Sequence, residues 1–160
     1  MTDTLEIAEK FWKSLKSDRT AMVWVEGTTG SRPMTVLVDP DSEKGPFWIF
    51  TSNETDLVQA LSGPKKAALA FSSKGHDVFG SVDGDIAVSN DRATIDRLWN
   101  PFVAAWFEGG KDDPKLTLLR FDGSDAKVWV DGSSLLAGAK ILLGVDPKKD
   151  YRDKVAEIDV

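Results

Sequence analysis

The chain has no cysteine and only one histidine, His76. Without thiols there is no disulfide, no thiolate nucleophile and no Cys-ligated metal, and one imidazole cannot build a His-based metal site or favour haem ligation. No metal centre is expected. Basic residues are the minority, 20 Lys and Arg against 26 Asp and Glu for a formal charge of −6. A surface of that sign repels phosphate backbones, so nucleic acid is not an expected partner. A long hydrophobic run is also missing. The longest apolar stretch, Leu135 to Val145, is interrupted by Lys140 and is far shorter than the ~20 residues that cross a bilayer. The opening MTDTLEIAEKFWKSLK lacks a basic leader ahead of an apolar core, so the expectation is a cytoplasmic protein with no membrane span. Internal repeats and low-complexity tracts are absent as well.

What remains is an ordinary globular composition, 41% hydrophobic and 29% charged over 160 residues. At this length roughly 70% of the unfolded surface is buried on folding, which suits one domain over 1–160 with no external staple. The tail 146–160 alternates charges with few large apolar residues and is read as a mobile tail or a dimer arm.

Leu5, Ala8, Phe11, Trp12 and Leu15 recur at helical spacing behind a capping arrangement of Asp3 and Glu6, which predicts a leading amphipathic helix. Ala21 to Glu26 and Arg32 to Asp39, separated by GTTGS, read as a hairpin. Pro33 cannot donate a ladder hydrogen bond, so its strand end should lie at an edge or face a ligand. FWIFTS (Phe47 to Ser52) reads as a short buried strand, with Trp48 on the face opposite Phe47 and Ile49, and Asn53 to Leu61 reads as a helix. Lys66 to Ser72 and Asp77 to Ser89 form another antiparallel pair, in which Gly80 and Gly84 suggest a bulge or barrel corner. Asn90 or Asp91 caps the helix that carries Trp99, and LTLLRFD with AKVWV reads as a final hairpin about DGSD. Ser133 to Leu143 is predicted helical. The pattern is mainly β: a small barrel of six or seven antiparallel strands with peripheral helices.

Two stretches carry the functional signal. LWNPFVAAWFEGGKDDPKLTLLR (Leu98 to Arg120) holds two of the six tryptophans beside a Pro and a double Gly, a platform suited to a planar ligand or a subunit partner. Thr51 and Ser52 end a buried strand at the start of the predicted helix, where hydroxyls and N–H groups would converge on an anion, with Arg32 as a bidentate clamp. The blander alternative is an ordinary helix cap and a solvated arginine.

These residues give the chain its resemblance. RPMT (Arg32 to Thr35), WIFTS (Trp48 to Ser52), the Leu98 to Arg120 segment and VWVDG (Val128 to Gly132) resemble the bacterial general stress protein branch of the pyridoxamine 5'-phosphate oxidase-like family, over nearly the whole length. The resemblance implies an FMN-binding split barrel and a homodimer with flavin at the subunit interface, FMN rather than FAD. It implies flavin-dependent oxidoreductase chemistry on an unidentified substrate. Arg32, Thr51 and Ser52 match the phosphate-contacting residues, and Pro33, Met34, Thr35, Ile49 and Phe50 would line the isoalloxazine ring. Trp99, Trp106 and Trp129 would form a wall supplied by the partner subunit. Two positions depart from the pattern. Asp56 stands where family members usually carry a lysine, and no Arg-x-His follows Trp129, so pyridoxamine phosphate is not the implied substrate. A cofactor-free dimeric interaction domain is the alternative that Asp56 leaves open.

Other polar residues are assigned no chemistry. His76 lies in a turn, and Glu108, Asp112 and Asp113 flank glycines and Pro114 in a solvated turn. Asp39, Asp41 and Glu43 lack EF-hand spacing and read as a flexible loop, while Trp12 and Trp24 are expected in the core.

Overall fold

The computed structural model describes residues 4–130 and 155–160. The leading helix α1 (Thr4–Asp18) is followed by strands β1 (Thr20–Val25), β2 (Arg32–Thr35) and β3 (Phe47–Ser52), a single-turn helix α2 (Asp56–Gln59), and strands β4 (Lys65–Ser72) and β5 (Val78–Val88). Then come helices α3 (Arg92–Leu98) and α4 (Pro101–Ala104), the long strand β6 (Leu116–Val130), and β7 (Val155–Ile158). The antiparallel sheet runs in the order β2-β1-β4-β5-β6-β3, with β7 also on β6. This seven-stranded split barrel does not close as a ladder. One isolated bridge joins its ends, where Leu37 and Trp48 exchange backbone hydrogen bonds of 2.8 and 2.7 Å.

β6 explains the split. The sequence reading placed a hairpin turn at DGSD, because Asp-Gly is a strong turn signal. Those residues instead stay in one 15-residue strand. Gly84 pairs with Gly123 and Asp83 with Asp125, so Ser124 is the extra residue of a bulge. A Cβ on Gly84 would collide with the Asp122 carbonyl, so glycine is needed for this close approach. The bend divides the far edge of β6: Leu116 to Phe121 pair with β3, and Ala126 to Trp129 pair with β7. The strand at 155–158 was not legible in the charge alternation of the tail, and the helix predicted over Ser133 to Leu143 lies outside the described residues.

Two apolar cores lie on opposite faces of β3. Phe47 and Ile49 enter the barrel core, while Trp48 enters a second cluster with Leu37, Ile95, Leu98, Val103, Phe107, Leu116 and Leu118. Burial on both faces is why FWIF and LTLL read as unbroken hydrophobic runs. Ile7, Phe11, Trp12 and Leu15 of α1 plug the barrel, with Trp12 stacked on Phe47 at 5.2 Å between ring centroids. Leu5 of the predicted stripe is exposed, and Ile7 takes the buried position. Trp24 also departs from expectation. On the alternating strand β1 it shares the outer face with Met22, and Val23 and Val25 take the core positions.

Gly84→Ala is expected to destabilise the fold by about 1–3 kcal/mol, because the obstacle is backbone and cannot rotate away. Thermal unfolding checks this, and an unchanged midpoint would contradict the close Gly84–Gly123 approach.

Candidate functional site

β2 is the edge strand at one end of the sheet, with only β1 as its hydrogen-bonded neighbour. This is the environment Pro33 requires. The outer side of β2 forms one wall of a groove of about 390 Å³, and the end of β3 together with the α3–α4 insertion forms the other.

The insertion is held by caps. The Asp91 carboxylate accepts from the Thr94 N–H at 3.1 Å and the Thr94 hydroxyl at 2.6 Å, which starts α3. Asn100, extended ahead of Pro101, accepts from the Phe102 and Val103 N–H groups at 2.9 and 3.0 Å and starts α4. Asp113 closes the following turn by accepting from Gly109 and Lys115. Asp39, expected in a flexible loop, accepts from Arg97 at 3.0 Å and from the Asp41 N–H, which ties the loop after β2 to α3. The carboxyls of Asp91, Asp113 and Asp39 all lie below the ordinary range. The causes, in order of size, are the Thr94 hydroxyl and N–H for Asp91, the Lys115 and Gly109 N–H groups for Asp113, and the Asp41 N–H ahead of Arg97 for Asp39.

Arg32, Pro33, Met34, Thr35, Phe50, Thr51, Ser52 and Trp106 all line this groove. Three of the residues singled out from sequence do not. Ile49 is fully buried in the barrel core, because alternation turns it away from Phe50. Trp99 stands behind the wall, edge-on to Phe50 at 6.0 Å and tilted on Phe107 at 6.4 Å. Trp129 lies on β6 in a separate depression, with the Lys127 ammonium 5.5 Å from its ring. Trp106 belongs to the groove of its own chain, 84% exposed at the rim beside Phe102, itself 72% exposed.

The predicted helix start is also corrected. α2 begins four residues beyond Ser52 and is capped by Thr55, whose hydroxyl accepts from the Val58 N–H at 3.4 Å. Thr51 remains in the β3 ladder opposite Thr117, and the Ser52 hydroxyl accepts from the Glu54 N–H at 3.2 Å. The groove therefore offers four hydroxyls, on Thr35, Thr51, Ser52 and Thr55. Asp56 lines a neighbouring depression of about 300 Å³ with the Gly27 to Arg32 turn and does not line the groove.

Charge separates this groove from the rest of the surface. No Asp or Glu among the described residues lines it, while two arginines do, Arg32 and Arg19. Arg92, Arg97 and Arg120 each pair with an aspartate, whereas no carboxylate among the described residues pairs with Arg19 or Arg32. In a chain of charge −6, two unneutralised guanidiniums beside hydroxyls and aromatic faces favour a planar anionic ligand. Sequence reasoning missed Arg19 and Phe102. A cation after a helix reads as a complement to the helix dipole, and nothing local distinguished Phe102 from a core residue.

An edge-strand groove with cationic and aromatic walls is carried on a split barrel. A family model described as "Pyridoxamine 5'-phosphate oxidase like" matches residues 6–151, and the chain belongs to this family, in its general stress protein branch. A general stress family protein from Xanthomonas campestris pv. campestris is 51% identical, with a TM-score of 0.78 over 84% of this chain and 93% of that one. The general stress FMN/FAD binding protein from Xanthomonas citri is 50% identical, with a TM-score of 0.77 over 81% and 92% of the two chains. General stress protein 26 of Bacillus subtilis (strain 168) is 27% identical over 85 residues, 51% of this chain and 60% of that protein. The match thus spans less than two thirds of that curated relative. No described helix is long and apolar enough to cross a membrane.

Because the folded-state pKa values of Asp39, Asp91 and Asp113 are lowered, the unfolded chain takes up protons first as pH falls. The stability these groups contribute is present above about pH 4 and is lost below it. The melting temperature is expected to drop between about pH 5 and pH 3, with a flatter slope in the Asp91→Asn, Asp113→Asn double variant. An unchanged slope would show that these caps do not hold the insertion.

Proposed function

We propose that this protein binds FMN in the β2–β3 groove and serves as a flavin-dependent oxidoreductase whose groove is completed by a second copy of the chain. The observation that carries the reading is Arg32, without a carboxylate partner among the described residues, in a groove that no described acid lines and that the Ser52 and Thr55 hydroxyls share. That combination suits a phosphate, which guanidinium binds bidentately and hydroxyls complete. The adjoining Pro33, Met34 and Thr35 present an open strand edge, and Phe50 and Trp106 present flat apolar faces, which suit a tricyclic ring with hydrogen-bonding edges. The name of the Xanthomonas citri relative supports the same ligand class. A bound flavin supplies hydride and single-electron transfer, while the protein contributes position and electrostatics.

The exposure of Trp106 supports the homodimer. Large aromatic faces at a rim are normally covered by a partner. A cofactor-free domain has less support, since the charge that suggested it, Asp56, faces the neighbouring depression.

FMN added to purified protein should bind with a shifted flavin spectrum, and Arg32→Gln should weaken it about 10- to 100-fold, the worth of one charge-assisted contact. Asp56→Lys should change FMN affinity less than Arg32→Gln does, since Asp56 is exposed and does not line the groove. A colourless protein that takes up no added FMN would contradict the reading. Sedimentation should give a dimer, and a monomer with undiminished FMN affinity would remove the partner from the site.

A further inference from the structure

The groove has a second cationic end that the phosphate reading leaves unused. Arg19 sits between α1 and β1 with φ of 61°, the left-handed region where glycine is favoured and a side chain costs roughly 1 kcal/mol or more. Its backbone is pinned on both sides: its N–H donates to the Leu15 carbonyl at 2.8 Å, and its carbonyl accepts from the Val36 N–H at 2.6 Å. Its guanidinium lies over the exposed ring of Phe102, 5.6 Å from the centroid. Arg32 pairs with Val23 at the far end of β2, so Val36 and Arg32 are separated by about 13 Å at ~3.3 Å per residue. The two arginines therefore mark opposite ends of one groove.

We propose that Arg19 and Phe102 form a second binding subsite, one that takes the carboxylate of a planar organic acid. Four observations converge on it. A non-glycine residue is kept in a left-handed conformation that glycine would adopt without cost, which points to a use for the side chain. No carboxylate among the described residues neutralises the guanidinium. The cation–π contact with Phe102 holds the guanidinium over that ring while leaving N–H groups for bidentate contact with a carboxylate. Phe102, exposed at the rim, offers a flat face for an aromatic body. The subsite shares the groove with the flavin reading, and the anion contact itself does not need it.

Benzoate is the probe, titrated against FMN-loaded protein by flavin absorbance and against cofactor-free protein by tryptophan fluorescence. Arg19→Gln and Arg19→Gly are each expected to weaken benzoate about tenfold or more with FMN affinity unchanged within about twofold, and Arg19→Lys to fall between. Arg32→Gln should show the reverse pattern. Arg19→Gly should also melt within a few degrees of the parent, since glycine suits the backbone, so lost binding would not reflect lost folding. Unchanged benzoate affinity in Arg19→Gln would overturn the subsite. An Arg19→Gln variant that loses FMN as strongly as Arg32→Gln would overturn it too, by assigning both ends to the flavin. A variant that loses FAD but not benzoate would assign Arg19 to the second phosphate of a dinucleotide and likewise overturn it. If the parent binds no flavin, the flavin reading fails alone, and the fluorescence titration still decides the subsite.

Discussion

The ladder between β5 and β6, bent where Gly84 meets Gly123, is the constraint on which the remaining structure depends. A straight β6 would pair with a single neighbour along its far edge. The bulge at Ser124 turns the strand, so one half carries β3 and the other β7. β3 is thereby held away from β2, apart from the one Leu37–Trp48 bridge, and the gap between those strands becomes the groove. The same arrangement buries β3 on both faces: one side completes the barrel core, and the other supports the insertion that carries Phe102 and Trp106.

Electrostatics give the gap its chemistry. Among the described residues, three arginines pair with aspartates and two stay unpaired in a groove without acids, which concentrates positive potential where a ligand can use it. The hydroxyls near Arg32 and the aromatic faces near Arg19 distinguish the two ends. The first suits a phosphate and the second a flat carboxylate. The carboxylates of the α3–α4 insertion do different work. Their hydrogen bonds to backbone N–H groups hold a wall in place, which is why their pKa values fall without any role in binding.

The strands were largely legible because alternation and β-branched runs report burial directly. β1, β3, β4 and β5 match their predicted spans to within a residue. DGSD was misread because its local turn preference is real, and only the glycine opposite, Gly84, turns it into a bulge. Trp24 was assigned to the core by the apolar register of its strand, but the register that is buried is that of Val23 and Val25, which places Trp24 outside. The same period separates Ile49 from Phe50, so the two could not share one wall. Most of the groove was visible as RPMT and FTS. Arg19 was not, because its place depends on the backbone bond to Val36, a contact across the chain with no local trace.

The account's central claim is that the Arg32 end of the groove is built for a phosphate carried by a flavin. Comparing the dissociation constants of FMN and riboflavin for the same protein tests it most directly, since the two ligands differ only in that phosphate. The account predicts FMN tighter by at least about tenfold, with the advantage shrinking as salt rises. Equal affinities at low salt would contradict it.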